Sequence, residues 1–391
     1  MFQVVLSNKD HMEYGVVTVP FPIPEDQYDD ITRMLEVLHI GSELSPDCMI
    51  ESVESDWPVL RLLTGQEINL DELDYLIKRL DSFIEDEIIQ FQAMAEKLDL
   101  SDIKDFINLT FCCQKATVIS DFSDLEEVGK WHFLTLNPGC DAETLEHVNG
   151  ERVAIGLIRH GAGTVTPYGV VYDNGMQMLH LYQGGAFPDY DYNSAVLGVK
   201  MTSRYEPERE EAYFQLPMPA RRVERFLQRA GLIPDDSCLE DAYDILPSAV
   251  ADAIRMEEES LESLNEMAEA ISRLDRKELP KLAAAVLLAR AEGAGQIKAL
   301  AENLADFDFV PDVKTPEEYG RYMIRESGRF EYDGELHEFY NYQKYGEQRI
   351  RREEGSFNAY GYICYRGAAS LQEILSMDKL RQPGFQMRGM E

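Results

Sequence analysis

Two stretches decide how this chain is read: "GERVAIGLIRHGAGTVTPYGVVYDNG" at residues 150–175 and "GEQRIRREEGSFNAYGYICYRG" at 346–367. Both open with Gly-Glu. Both then reach Tyr-Gly, at 168–169 and 360–361, and continue into an apolar, strand-like run. Working outward, the echo extends along the chain. "FPIP" at 21–24 lies over "FQLP" at 214–217, and "CMIESVESDWP" at 48–58 over "CLEDAYDILP" at 238–247. "LDELDYLIKRLD" at 70–81 lies over "LESLNEMAEAISRLD" at 261–275, and "NLT" at 108–110 over "NLA" at 303–305. "VISDFSDLEEVGKW" at 118–131 lies over "FVPDVKTPEEYGRY" at 309–322. Matches in one order along two halves mean a tandem duplication of a whole domain set, since solenoid periods are far shorter. The expected organisation is a first copy at 1–180, a linker at 181–204 rich in turn-forming residues, and a second copy at 205–391.

Within each copy the pattern predicts the same elements. Strands open the first copy at Gln3, Val4, Val5, Leu6 and Ser7 and again near Val16. Tyr28, Ile31, Leu35 and Leu38 recur at helical spacing, as do Val223, Phe226, Leu227 and Leu232. A long amphipathic helix follows. It uses Leu73, Leu76, Ile77, Leu80 and Ile84 in the first copy, and Leu261, Leu264, Met267, Ala268, Ile271 and Leu274 in the second. Asn69 or Asp71 and Ser260 are its N-cap candidates. Pro280 reads as a break, and Gly129 and Gly320 as helix ends or sharp turns. Strands are expected at 153–158, 169–172 and 361–365. The fold class is α+β, made of small mixed lobes in two related copies.

The chain has 391 residues, 45% of them hydrophobic, enough for a real interior in more than one domain. It carries 72 acidic against 37 basic side chains, a net charge of -35. Such a surface repels nucleic acid and anionic membranes and attracts a basic groove. A salt-adapted or merely well-solvated surface is the plain alternative. Cys48, Cys112, Cys113, Cys140, Cys238 and Cys364 form no CxxC pair, which fits a reducing compartment, and Cys112 and Cys113 sit in an apolar run. No signal peptide and no membrane-length apolar stretch is visible, so a cytoplasmic protein is expected. The seven histidines give no zinc spacing. His160 in "IRHGAGT" has no counterpart in the second copy and reads as a solvated loop residue. Phe339, Tyr340, Tyr342 and Tyr345 stand near arginines as base-stacking residues do, but acids surround them, so packing is the expected role. No nucleophile triad, phosphate loop, cofactor motif or metal cluster stands out.

The acids concentrate. Residues 41–110 hold 17 Asp or Glu against five Lys or Arg, and 235–280 hold 14 against four. In the second copy Glu258, Glu262, Glu266 and Glu269 step along one side of the helix, opposite its leucines; Asp71, Asp74, Glu85 and Asp86 are the first-copy candidates. Like charges at i,i+4 cost a helix a few tenths of a kcal/mol each, so stability does not ask for them. Duplex DNA carries roughly one charge per 3.4 Å per strand, a density that carboxylates on neighbouring helices approach. These eight residues are the expected partner-binding surface. Both copies keep the bias while individual acids differ, as a field requires and a catalytic site does not.

Residues 315–363 resemble the ArdA-type antirestriction proteins. The resemblance rests on Glu318-Tyr319-Gly320-Arg321-Tyr322, the Tyr342 to Gly346 segment, Glu354-Gly355 and Gly361-Tyr362-Ile363. Leu264, Asn265, Glu266, Met267, Ala268, Ile271 and Leu274 match the family's helix. It covers 205–370 and extends faintly to 1–180. The fronts depart from the pattern, with "HMEYG" at 11–15 and "EREEAYF" at 208–214, and "EHVNG" at 146–150 replaces "YQKYG". The resemblance implies an elongated DNA mimic that occupies the DNA-binding groove of a type I restriction-modification enzyme. It implies carriage on mobile genetic elements such as conjugative transposons. It implies no reaction, no cofactor, no direct nucleic acid binding and no membrane, and a homodimer or an internal pair supplied by the duplication. The competing classes are an acidic binding or scaffold protein of a mobile element that acts on another DNA-binding protein, and a carboxylate-dependent metalloenzyme.

Overall fold

The computed structural model describes residues 2–190, 195–206, 211–329 and 331–377. The first half runs β1 (Phe2–Asn8), β2 (Val16–Phe21), α1 (Tyr28–Val37), β3 (Cys48–Glu54), β4 (Glu67–Ile68), α2 (Leu70–Asp81), α3 (Glu85–Leu98) and α4 (Ile103–Leu109). It continues through β5 (Thr117–Ile119), α5 (Leu125–Leu136), α6 (Ala142–Glu146), α7 (Gly150–His160), β6 (Thr164–Thr166) and β7 (Gly169–Tyr172). The second half runs β8 (Leu197–Ser203), β9 (Glu211–Leu216), α8 (Ala220–Ala230), β10 (Ser237–Asp244), α9 (Ser248–Ala251), α10 (Leu261–Ser272), α11 (Leu279–Ala289) and α12 (Ala294–Glu302). It closes with β11 (Phe307–Pro311), α13 (Pro316–Arg325), α14 (Tyr342–Glu353), β12 (Ser356–Asn358), β13 (Gly361–Tyr365) and α15 (Leu371–Met377). The class is α+β, with small antiparallel sheets carried among helices.

The chain forms two compact units. Unit 1 is Met1–Asn193 with Pro219–Leu232; unit 2 is Ser194–Met218 with Ile233–Glu391. Unit 1 holds one sheet in the order β2-β1-β3-β4 and a second in the order β5-β7-β6. Unit 2 holds β10-β8-β9 and β11-β13-β12. The strand orders repeat, so the duplicated sequence gives duplicated topology. One hydrogen bond fixes the register. Asp74 Oδ1 accepts from the Ile23 amide at 2.6 Å, and Asn265 Oδ1 accepts from the Met218 amide at 2.8 Å. Ile23 therefore corresponds to Met218, two residues from the pairing that "FPIP" and "FQLP" suggest.

The strand β8 lies in 181–204, the stretch expected as a linker. Leu197, Val199 and Met201 are buried in unit 2, and Tyr182 and Phe187 in the core of unit 1, so the stretch is interior structure and the second copy begins before residue 205. The strand expected at 153–158 is helix α7. Asn149 caps it by accepting from the Arg152 amide at 2.8 Å, and Ala154 is buried. Gly129 and Gly320 are mid-helix, not helix ends. A Cβ on Gly129 would lie 1.8 Å from the Gly150 carbonyl oxygen, and one on Gly320 would lie 2.0 Å from that of Tyr342. Helices α5 and α7, like α13 and α14, cross backbone to backbone, which only glycine permits.

In unit 1, Leu6, Phe21, Leu35, Ile50, Leu76, Phe91 and Phe106 form a fully buried core. Asn69 caps α2, accepting from the Asp71 amide at 3.0 Å, and Ser260 caps α10, accepting from the Ser263 amide at 3.0 Å. The first amphipathic helix ends at Asp81, and Ile84 is outside it and 61% exposed. Pro280 sits in the first turn of α11, where a missing amide costs nothing, so it starts that helix. No described helix is long and apolar enough to cross a membrane.

Candidate functional site

The eight acids expected to form one kind of surface divide into two. Asp71 and Asp74 are 3% and 5% exposed and belong to the interior of unit 1, so they are not surface acids. The cause is α8. Its spacing suggests an apolar face of Val223, Phe226 and Leu227, yet its most buried residues are Arg222 and Arg229. Arg222 Nη2 lies 2.8 Å from Asp74 Oδ2, and its guanidinium stands 4.3 Å over the Tyr28 ring. Arg225 donates through Nε to both oxygens of Asp71 at 3.0 Å, and through Nη1 to the Gly41 carbonyl at 2.7 Å. Arg229 donates to Asn69 Oδ1 at 3.0 Å and to the Tyr182 hydroxyl, which itself donates to Glu72 Oε1 at 2.9 Å. Three arginines at i, i+3 and i+7 thus occupy one helix face and meet the acids of α2.

Burial pushes the Asp74 carboxyl above the usual carboxylate range, against the pull of Arg222 and the Ile23 amide. Burial likewise opposes the Arg222 charge, but Asp74 and Glu25 outweigh it, and Arg222 stays protonated. A buried charge is tolerated when it is paired and hydrogen-bonded, and here both conditions are met. The acids of α2 serve the fold of unit 1. The sequence carried a signal for this in the Arg222, Arg225 and Arg229 spacing, set in a chain short of basic residues.

The second-copy acids are placed differently. Glu262, Glu266 and Glu269 are exposed on α10, while Leu261, Leu264, Met267, Ala268 and Ile271 on its other side are buried. Glu258 is also exposed, on a single 3₁₀ turn (Met256–Glu258) that precedes the helix. Glu85 and Asp86 are exposed in the first turn of α3, where the amide ends of a helix favour negative charge. Three of the acids have basic neighbours: Glu258 with Arg255 at 3.6 Å, Glu266 with Lys298 at 2.5 Å and Glu269 with Arg273 at 2.5 Å. These pairs are solvent-exposed on the acid side, hence weak and easily exchanged for a stronger partner. Successive acids one turn apart rise by about 5.4 Å along the helix axis.

The motif residues behind the resemblance hold the end of unit 2 together. Tyr319 and Tyr362 donate to Glu353 Oε2 at 2.6 and 2.8 Å, and Arg366 meets Glu353 Oε1 at 2.8 Å, with Arg349 on the same oxygen. Burial opposes the Glu353 charge, but these four donors hold its carboxyl below the usual range. In the first copy the corresponding positions are Val128, Leu157 and Val170, so the polar knot has no counterpart there. His160 is exposed at the end of α7. Of the aromatic series, Tyr342 is buried and Phe339 is 83% exposed. Among the described residues no three His, Cys, Asp or Glu side chains converge to hold a metal ion.

No family model and no curated protein matches this chain. Its function therefore rests on its own residues and on the resemblance.

Proposed function

We propose that the chain is a DNA-mimicking antirestriction protein that occupies the DNA-binding groove of a type I restriction-modification enzyme and acts in the cytoplasm. The observation that supports it best is Glu262, Glu266 and Glu269 exposed along one side of α10, opposite its buried face, with Glu258 exposed on the turn before it, in a chain of net charge -35. The mechanism is occlusion. Carboxylates stand in for phosphates, the long-range field speeds encounter, and no bond is made or broken. Glu85 and Asp86 are the exposed acids of the first copy, whereas Asp71 and Asp74, being internally neutralised, take no part. The motifs shared with the ArdA-type proteins agree with this reading.

The test is titration of the purified protein against a type I restriction enzyme cleaving plasmid DNA, at low and high salt. Inhibition that weakens with salt is expected, because the contacts are charge pairs. No inhibition and no complex at low salt ends the reading. Capture of a nucleoid protein or nuclease in place of the restriction enzyme would move the assignment to an acidic inhibitor of another DNA-binding protein.

A further inference from the structure

Unit 1 buries a histidine in the seam between α5 and its smaller sheet. His132 is 8% exposed, and Thr117, the first residue of β5, is fully buried. Asn174 sets the direction of the hydrogen bonds that join them. Its side-chain nitrogen donates to the Lys115 carbonyl at 2.9 Å and to Thr117 Oγ1, also at 2.9 Å. With that oxygen accepting, the Thr117 hydroxyl proton is directed at His132 Nδ1, 2.8 Å away. Nδ1 is therefore an acceptor, and the ring is the neutral tautomer with its proton on Nε2.

A protonated ring does not fit this chain of donors. Both of its nitrogens would donate, so the Thr117 hydroxyl would lose its acceptor where no water reaches it. The charge would also lack a counter-ion: among the described residues the histidine paired with a carboxylate is His11, with Glu13. Of the elements packed on α5, β5 brings no titratable side chain. The turn 113–115 brings the exposed Lys115 and the buried Cys113 thiol, which burial holds above the usual thiol range. On α7, Glu151, Arg152, Arg159 and His160 are all exposed. On α5 itself Glu126 holds Lys130 at 2.9 Å, and Glu127 is exposed. Asp173, next to Asn174, is held by Lys97 at 2.6 Å. Burial alone keeps the His132 ring below the 6.5 of a free histidine. Unit 2 provides the contrast. By the repeat register His132 corresponds to the buried Met323, and Thr117 and Asn174 to Asp308 and Arg366, an ion pair at 3.2 Å.

We propose that His132 is an acid-released latch: its protonation frees α5, and with it the α7 that crosses at Gly129, from β5 of unit 1. Unit 2, with a thioether in that place, keeps its seam closed. The closed seam excludes the proton and the opened one accepts it. Opening therefore becomes easier as pH falls below 6.5, by about tenfold per pH unit for one proton, and levels off below the folded pKa. This inference stands independently of the antirestriction reading.

The test is hydrogen exchange of the full-length protein by mass spectrometry from neutral to mildly acidic pH, corrected for the intrinsic pH dependence of amide exchange. Peptides from α5 and α7 are expected to gain exchange by about tenfold per pH unit below the free-histidine value, while those from α13 and α14 stay level. His132→Met abolishes the response, as does His132→Asn, whose Oδ1 still accepts from Thr117; His160→Gln keeps it. Nitrogen-15 NMR of the wild-type His132 ring shows the proton on Nε2 at neutral pH and a titration midpoint below 6.5. A proton on Nδ1, a midpoint at or above that value, an equal response of α13 and α14, or an acid response that persists in His132→Asn overturns the proposal.

Discussion

Replacing Arg222 with Met tests the largest reassignment made by the structure, the move of Asp71 and Asp74 from the surface to the interior. The Arg222 and Asp74 side chains are 3% and 8% exposed, and their closest atoms are 2.8 Å apart. Without Arg222, Asp74 keeps the Ile23 amide at 2.6 Å but loses its paired guanidinium. Breaking such a buried pair costs about 3–5 kcal/mol. At about 2–4 °C per kcal/mol for a unit of this size, the melting temperature of unit 1 falls by about 6–20 °C. Unit 2 shows how the loss is repaired. There Asn265 accepts from the Met218 amide and donates to the Met218 carbonyl, both at 2.8 Å, and needs no cation. Asp74→Asn added to Arg222→Met therefore recovers at least about 2 kcal/mol. Calorimetry and urea titration of the wild type, both single variants and the double variant give the coupling energy. If the double variant is no more stable than Arg222→Met, the two side chains are not a coupled buried pair, and the account of α8 is wrong.

The exposed acids behave oppositely. Replacing Glu258, Glu262, Glu266 and Glu269 together by Gln leaves the melting temperature within a few degrees of wild type and weakens inhibition of a restriction enzyme. At about 0.5 kcal/mol each, the four give about thirtyfold, with each single change near twofold in the titration. Glu353 makes unit 2 acid-sensitive. Its folded carboxyl titrates below the 4.5 of a free glutamate, so its stabilising effect is complete above that value and lost as pH falls through the folded pKa. Glu353→Gln flattens that part of the stability-against-pH curve, measured by denaturant unfolding between pH 3 and 7. Gly129→Ala and Gly320→Ala each force a helix crossing apart and destabilise by at least about 3 kcal/mol, read by thermal melting.

The repeat was legible because it is written in residues whose roles are local. The Tyr-Gly steps before β7 and β13, the caps Asn69 and Ser260, and the apolar stripes of α2 and α10 each report their own element. The α+β class follows from them. The strand expected at 153–158 is a helix because a short run holding Val153, Ala154, Ile155, Leu157 and Ile158 suits either period, and the Asn149 cap decides it. Burial of Asp71 and Asp74 was hidden for a different reason: the segment that covers them lies far downstream in sequence. A helix face is polar or apolar by composition, but inside or outside by what packs on it. Glu262, Glu266 and Glu269 look much like Asp71 and Asp74 on a helical wheel, and only the arginines of α8 separate them.

The placement of α8 also bears on how the molecule divides. In chain order it belongs to the second repeat, between β9 and β10, while its arginines are interior parts of unit 1. A gene cut at the repeat boundary would yield a leading half with uncompensated carboxylates and a trailing half bearing guanidinium groups with nothing to bind. Neither repeat, taken alone, is therefore a whole folding unit.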